Sequence, residues 1–352
     1  MYLISFSTFL EVLYLIEVDG SYGEGGGAVL RIATALSAVT SKPVHVTNIR
    51  SGRPKPGLMP QHLNAVKAVA ALSNASFSGL ELGSTEIFFN PGSLSGGDYK
   101  IDIGTAGSIT LILQSFMIPA AFADGPVTIN ITGGTDLRWS PSVDYLENVM
   151  LPILRLMGYK ARINILQRGH YPRGGGMLKF EVDPIKNLES LNVSDLKFDC
   201  INGVSHAVKL PVHIAERQAK SAENILLKEG YNSKIKIKTS EKAIGPGSSI
   251  FLWTNGSTPV SGSAVGEPGK RAEKVGSEAA KEILYHISRK SAVDRYMGDQ
   301  IIPYIALAGK SNVKTAELTQ HALTNIHVTE KFIKRKFHVE GVLDESALIT
   351  VD

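Results

Sequence analysis

Two rhythms alternate along this chain. Apolar residues recur at helical spacing over 28–39, 60–72, 108–122 and 143–157, and at every second position in the short runs between them. The order repeats: a glycine-rich turn, an apolar helix, a short strand, a second helix, then two strands. In the first copy Leu15–Val18 is a strand, Asp19–Gly27 the turn, Ala28–Val39 the helix and Val44–Ile49 a strand. Pro60–Leu72 is the second helix, and Phe77–Leu82 with Glu86–Phe89 a hairpin. The second copy opens on the strand Tyr99–Ile103, and Gly104–Gly107 turns into a helix over Ser108–Phe122 that Asp124-Gly125-Pro126 stops. Val127–Ile131 alternates as a strand. Ser140-Pro141 then starts a helix over Val143–Met157, and strands Tyr159–Leu166 and Met177–Val182 flank the turn Tyr171–Gly176. A third copy closes the chain: helix Asp299–Ala308 ended by Gly309, strand Thr315–Leu318, helix Ile326–Lys336, and strands Phe337–Glu340 and Ala347–Val351.

One such unit buries too little apolar surface to stand alone, so three of them predict a single α/β (α+β) domain of repeated βαβαββ-type units. Between the second and third copies the composition shifts toward lysine. That stretch has its own helix Ala215–Glu229, strands Lys234–Lys238 and Ser249–Trp253, and a long helix Gly269–Ser288. It reads as an inserted small α/β domain. The expected division is residues 15–185 and 293–352 for the three-repeat domain, 186–292 for the insert, and 1–14 for a leader without an assigned role, either a start-site artefact or an interface segment.

Composition adds limits. At 352 residues there is room for two domains, and 43% hydrophobic with 20% charged residues fits a soluble globular protein. The net charge of +4 is compatible with a polyanionic partner without requiring one. Cys200 is the sole cysteine, which excludes an intrachain disulfide and a cysteine metal cluster and makes a reducing cytoplasm the expected location. Met1–Val18 is largely apolar. It lacks a basic start and a small-residue cleavage site, and Glu11 and Glu17 interrupt it, so neither a signal peptide nor a membrane span is expected.

Three clusters carry candidate chemistry. In Asp19–Gly27 the glycines suit either a tight strand-to-helix turn or a close approach to a phosphate at a helix N-terminus. Glu24 among them is placed to hold a divalent cation. Arg50, Arg53 and Lys55 stand on a proline-stiffened loop that ends near Gln61; they make either a solvated basic loop or the rim of an anion site. Near the C-terminus, Arg295-Tyr296-Met297-Gly298-Asp299-Gln300 is read as a helix start, where Asp299 suits the positive end of the macrodipole. His321 follows a strand and precedes a Thr324-Asn325 cap. It has no metal-binding partner at helical spacing, whereas a neutral histidine can be a nucleophile. His327 and His338 read as surface or packing residues. The sequence holds no P-loop and no Lys-x-Asp-Gly motif, so a chain that activates a substrate with ATP would rely on His321.

Taken together, these segments resemble the RNA 3'-terminal phosphate cyclase family. The resemblance runs from about Ile16 to the C-terminus through Asp19–Gly27, Arg50-x-Gly-Arg-x-x-Pro-Gly-Leu58, Gln61-His62-Leu63 and Gly104-x-x-Gly107. It continues through Gln114, Gly133–Asp136, Trp139-Ser-Pro-x-x-Asp-Tyr145, Gly174–Gly176, Asp299-Gln300 and His321-x-x-Thr-Asn325. It implies three repeats like the C-terminal domain of a translation initiation factor, with a small inserted domain. It also implies ATP as co-substrate, Mg2+ or Mn2+, and RNA with a 3'-terminal phosphate as partner; no membrane is expected and a homodimer is allowed. His321 would carry AMP covalently. Glu24 would lie at the metal and nucleotide, with Gln114, Pro141, Tyr296, Asp299 and Gln300 lining the adenylate pocket. Arg31, Arg50, Arg53 and Gln61 would hold the RNA phosphate end. The family usually has Gln where this chain has Ala28. Two rivals are a non-catalytic cyclase-like factor in ribosomal RNA processing, against which His321 and Glu24 speak, and the enolpyruvyl transferases, which would have no use for the His321 segment.

Overall fold

The computed structural model describes residues 15–352, so the leader expected over 1–14 lies outside the described residues. The first repeat runs β1 (Ile16–Asp19), α1 (Gly27–Thr40), β2 (Val44–Thr47), α2 (Pro60–Leu72), β3 (Ser76–Ser78) and β4 (Ile87–Asn90). The second runs β5 (Gly97–Asp102), α3 (Ile109–Ala120) and β6 (Val127–Gly133). The helix expected over 143–157 follows as α4 (Val143–Tyr145), a wider π-type turn (Leu146–Met150) and α5 (Leu151–Leu156). Then come β7 (Lys160–Gln167) and β8 (Gly176–Asp183). Pro152 sits in the first turn of α5, where its missing N–H interrupts a regular ladder.

The third repeat is split. Its first strand, β9 (Asn192–Val193), pairs in parallel with β14 (Ser311–Thr315), although it lies in the stretch read as the insert. Two residues carry no periodic signal, and the strand is made by its partner. After β9 come β10 (Ile201–Val208), α6 (Val212–Lys228), β11 (Ser233–Ser240), β12 (Gly247–Thr254), β13 (Ser261–Val265) and α7 (Ala272–Ser288), forming a separate sheet in the order β11-β10-β12-β13. The repeat then resumes with α8 (Arg295–Gln300), α9 (Ile302–Ala308), β14, α10 (Gln320–Phe332), β15 (Phe337–Glu340) and β16 (Ala347–Val351).

All three repeats share one sheet topology: β1-β2-β4-β3, β5-β6-β8-β7 and β9-β14-β16-β15. In each, the first two strands are parallel and the others antiparallel. The repeat helices gather inside. Every residue of α3 from Ile109 to Ala120 except Leu111 is buried, as expected for a helix that is apolar all round. One continuous core joins Leu36, Phe89, Phe116, Phe180, Tyr304 and Phe332 from the three repeats. The inserted sheet and its two helices enclose a second core around Leu226, Ile250, Leu252 and Ile283.

Four further expectations are corrected. The strand placed at Thr315–Leu318 is β14, four residues earlier, because Ser311, Val313 and Thr315 face inward as small polar and apolar residues alternate. The helix placed at Asp299 begins at Arg295. Asp294 caps it, accepting the Met297 N–H at 2.9 Å, so Asp299 lies in the last turn of α8 rather than at a positive helix end. The helix placed at Ile326 begins at Gln320, because Thr319 supplies the cap through its hydroxyl to the Ala322 N–H. Strands β10 and β13 escaped notice because buried Ser205, His206 and Ser261 break the apolar alternation.

Candidate active site

The glycine-rich turn after β1 and the first turn of α10 meet. Gly23 has φ of +63°, open to glycine without strain, and a Cβ there would collide with Thr324 Oγ1. Tyr22 stacks on His327 with ring centroids 3.8 Å apart, fixing the turn to the same helix. Glu24 thereby reaches His321: its Oε2 lies 2.8 Å from His321 Nε2, and the imidazole side chain is 44% exposed. Placing the ring one residue inside a capped helix holds it rigidly while leaving a face open to a ligand.

Cations surround it. Arg31, one turn into α1, is buried and its Nε donates to Gln114 Oε1 on α3 at 3.0 Å, so two residues expected in different subsites touch. Burial pulls Arg31 down to about 10, which leaves it charged at neutral pH. Arg53 reaches the Glu24 backbone carbonyl. Arg50 adopts a left-handed φ of +55° and its Nη1 donates to the Lys55 and Gly57 carbonyls, so part of its guanidinium clamps the basic loop. Gln61 accepts the Ser108 N–H at 3.0 Å and ties the start of α2 to the Gly104–Gly107 turn. Burial, with Arg31 and Arg53 against the opposing pull of Glu24, holds His321 below the usual histidine range, so its neutral form dominates at pH 7.

His62 is a member of this cluster that sequence reasoning quoted without a role. Its Nδ1 accepts the Met59 N–H, and its ring abuts Gly27, where a Cβ would collide with it. Burial, then Arg31 and Arg50, push it down to about 3. It is a neutral wedge between cations. The histidine directly after Gln61 in the second helix was the available signal.

Asp299 joins α8 to α10. Thr319 Oγ1 donates to its Oδ1 and Asn325 Nδ2 donates to its backbone carbonyl. Burial, with Asp294 and Glu24 adding to it against the Thr319 hydrogen bond, raises the Asp299 carboxyl to about 8. An unfolded aspartate titrates near pH 4, so from about pH 4 to 8 the folded chain keeps a proton that the unfolded chain has released. Stability therefore falls as pH rises through that window. Asp299→Asn removes the titration. Denaturant melts should show the wild type losing stability relative to this variant between about pH 4 and pH 8, whereas parallel curves would reject the assignment.

Pro141, Tyr296 and Gln300 are tied elsewhere than to His321. The Pro141 carbonyl accepts from Thr110 Oγ1 at 2.6 Å. Tyr296 donates to Glu282 of α7 and lies under the Arg295 guanidinium, and Gln300 donates to the Tyr296 carbonyl. Ala28, at the position where the resemblance expects Gln, is buried and offers no polar group.

A second polar cluster joins the insert to the second repeat. Arg168 Nη1 lies 3.1 Å from both Asp136 oxygens, while its two terminal nitrogens reach Asp144 at 2.6 and 2.8 Å. Ser249 donates to Asp136, and His206 Nε2 lies 3.2 Å from His170 Nε2. Asp136, His170 and His206 are spaced as metal ligands could be. The Arg168 guanidinium already occupies Asp136, which makes the cluster a buried ionic joint.

The fold and this site define a three-repeat α/β protein that sets an accessible, neutral histidine among arginines at a glycine-rich turn. A family model described as RNA 3'-terminal phosphate cyclase matches residues 22–339. The chain belongs to that family. It is similar to the RNA 3'-terminal phosphate cyclase of Methanothermobacter thermautotrophicus, 50% identical over 96% of this chain and 100% of the relative. It is likewise similar to those of Methanopyrus kandleri, 46% identical over 96% and 98%, and Pyrococcus furiosus, 47% identical over 96% and 98%. No helix among the described residues is long and apolar enough to cross a membrane.

Proposed function

We propose that this chain is an ATP-dependent RNA 3'-terminal phosphate cyclase working through adenylated His321. The observation that carries the reading is the meeting of a neutral, accessible His321 with Glu24 of the glycine-rich turn, beside Arg31 and Arg53. A neutral imidazole has the lone pair that attack on the α-phosphate requires, and arginines offset the charge that gathers there. Attack forms the N–P bond and releases pyrophosphate. An oxygen of the RNA 3'-phosphate then attacks the same phosphorus, restoring the histidine and forming an RNA–adenylate anhydride. Finally the adjacent 2'-hydroxyl attacks the terminal phosphate, loses its proton, and expels AMP to leave the 2',3'-cyclic phosphate. The 2'-hydroxyl sits on the carbon next to the one that bears the phosphate, so this step gains from proximity.

Glu24 is exposed, and among the described residues its carboxylate is bound only by the His321 ring, so it suits a divalent cation, Mg2+ or Mn2+, that would shield phosphate charge. In this reading Gln114 with Pro141, Tyr296, Asp299 and Gln300 borders the nucleotide, and Arg31, Arg50, Arg53 and Gln61 face the RNA end. The insert, residues 186–292, would be a separate small domain set into the third repeat, and the chain would act in the cytoplasm.

The test is incubation with ATP labelled at the α-phosphate. Covalent label on the protein supports the reading, and an unlabelled protein favours the non-catalytic ribosomal RNA processing factor. A second expectation separates the subsites. Neutralising Arg50 and Arg53 together should raise the KM for 3'-phosphate RNA about tenfold or more and flatten its salt dependence, with self-adenylation less affected because Arg31 remains beside His321. Equal loss of both activities would reject their place at the RNA end.

A further inference from the structure

Two of the most exposed large side chains among the described residues are aromatic: Trp139 at 87% and Tyr171 at 79%. Rings that size usually lie against other apolar surface. Trp139 is presented by a left-handed backbone, with φ of +71°, and the Arg138 guanidinium lies 4.6 Å over its ring. Arg138 is itself mostly exposed, paired only loosely with Glu267 at 3.4 Å. Arg173, two residues past Tyr171, is exposed as well.

The two loops are neighbours, because Asp136 and His170, just ahead of the two rings, pair as a parallel bridge. Both loops press on the Gly104–Gly107 turn. A Cβ on Gly134 would stand 2.6 Å from the Ala106 carbonyl, and one on Gly174 would stand 2.8 Å from Ala106 Cα. That turn leads into α3. There Ser108 binds Gln61, Thr110 binds the Pro141 carbonyl and, about one helical turn on, Gln114 binds Arg31 beside His321. These contacts are largely buried, and they tie the aromatic loops, whose rings are exposed, to the elements that hold His321.

We propose that Trp139 and Tyr171, with Arg138 and Arg173, form a stacking platform for the bases upstream of an RNA 3'-phosphate end. This rests on the cyclase reading. A strand whose last phosphate reaches His321 must leave the site over a neighbouring surface. This one offers flat rings and cations: every base has a face that stacks on an aromatic ring, and the arginines pair with the backbone phosphates between bases. Such a platform holds the strand without reading its sequence. The flanking cations and the tie to the elements of the site favour a single strand over a protein partner.

The test compares a dinucleotide with an oligoribonucleotide of about ten residues, both ending in a 3'-phosphate, for the wild type, Trp139→Ala, Tyr171→Ala, the double variant and Trp139→Phe. The wild type should have the lower KM on the longer strand. Each alanine variant should raise that KM about tenfold, within the range of one lost base stack, and leave both the dinucleotide KM and ATP-driven self-adenylation unchanged. Trp139→Phe should recover most of the loss. An unchanged KM on the longer strand, or equal loss on both lengths, overturns the platform. Slowed self-adenylation also overturns it, since the ring would then serve the adenosine of ATP. If the wild type cyclises neither substrate, the cyclase reading fails instead. Fluorescence-detected binding of the longer strand, lost in the double variant or retained, then decides the platform separately.

Discussion

His321→Ala is expected to abolish covalent AMP on the protein and to cut RNA cyclisation by at least three orders of magnitude, roughly the scale seen when a nucleophile is removed. The ring is partly solvent-exposed and in a helix that Thr319 caps independently, so stability should change by no more than about 1 kcal/mol. Thermal melting and intact-mass measurement after incubation with ATP separate the two effects. The pH profile adds a second check. Burial and the arginines hold the imidazole below its ordinary range, so self-adenylation should keep more than half of its plateau rate at pH 6.5, where a free histidine is half protonated. A variant that still cyclises RNA at a normal rate would end the proposal that His321 is the nucleophile. A fully active variant of Glu24 with a dead His321 would place all the requirement on the ring.

Arg168→Ala is expected to be the most damaging single change to the fold. It leaves Asp136 and Asp144 buried without their cation, a situation that typically costs about 3–5 kcal/mol. The sign with pH follows from the same charges. Burial alone would raise Asp136, and Arg168, followed by the nearby histidines, overcomes it and holds the carboxyl well below its ordinary value. In the wild type that contribution is present above about pH 4 and is lost as pH falls. Without Arg168 the buried Asp136 carboxyl should rise, so the deficit of the variant should grow as pH increases from about 4 to 8. Urea melts at several pH values measure this. A joint Arg168→Met, Asp136→Asn, Asp144→Asn variant should recover much of the loss, because it buries no lone charge. A deficit under about 1 kcal/mol that does not vary with pH would mean that water reaches the joint.

The repeats were legible because their helices are long and apolar. Pro60–Leu72, Phe337–Glu340 and Ala347–Val351 fall where the alternation puts them. Hydrophobic periodicity is local information, and burial enforces it. The elements that went unread are those whose form depends on a distant partner. β9 is a strand only because β14 lies beside it, and β10 carries a buried Ser205 that donates to the Ala215 carbonyl of α6 and a buried His206 that meets His170 of the second repeat. The start of α10 was missed for a smaller reason: Thr319 and Thr324 are both competent caps, and backbone geometry chose the first.

Local sequence settled the repeat count, the glycine-rich turn after the first strand, and the presence of a histidine with no metal-binding partner at helical spacing. Contact across the chain was left to the tertiary structure. Glu24 meets His321 because the first and third repeats pack helix to turn. His62 is neutral because folding buries it and brings Arg31 and Arg50 beside it. Asp299 keeps its proton because α8 and α10 enclose it. The difference is physical. A residue's backbone preference is set by its neighbours in sequence, whereas its charge state depends on solvent exclusion and on charges brought near only by the completed fold.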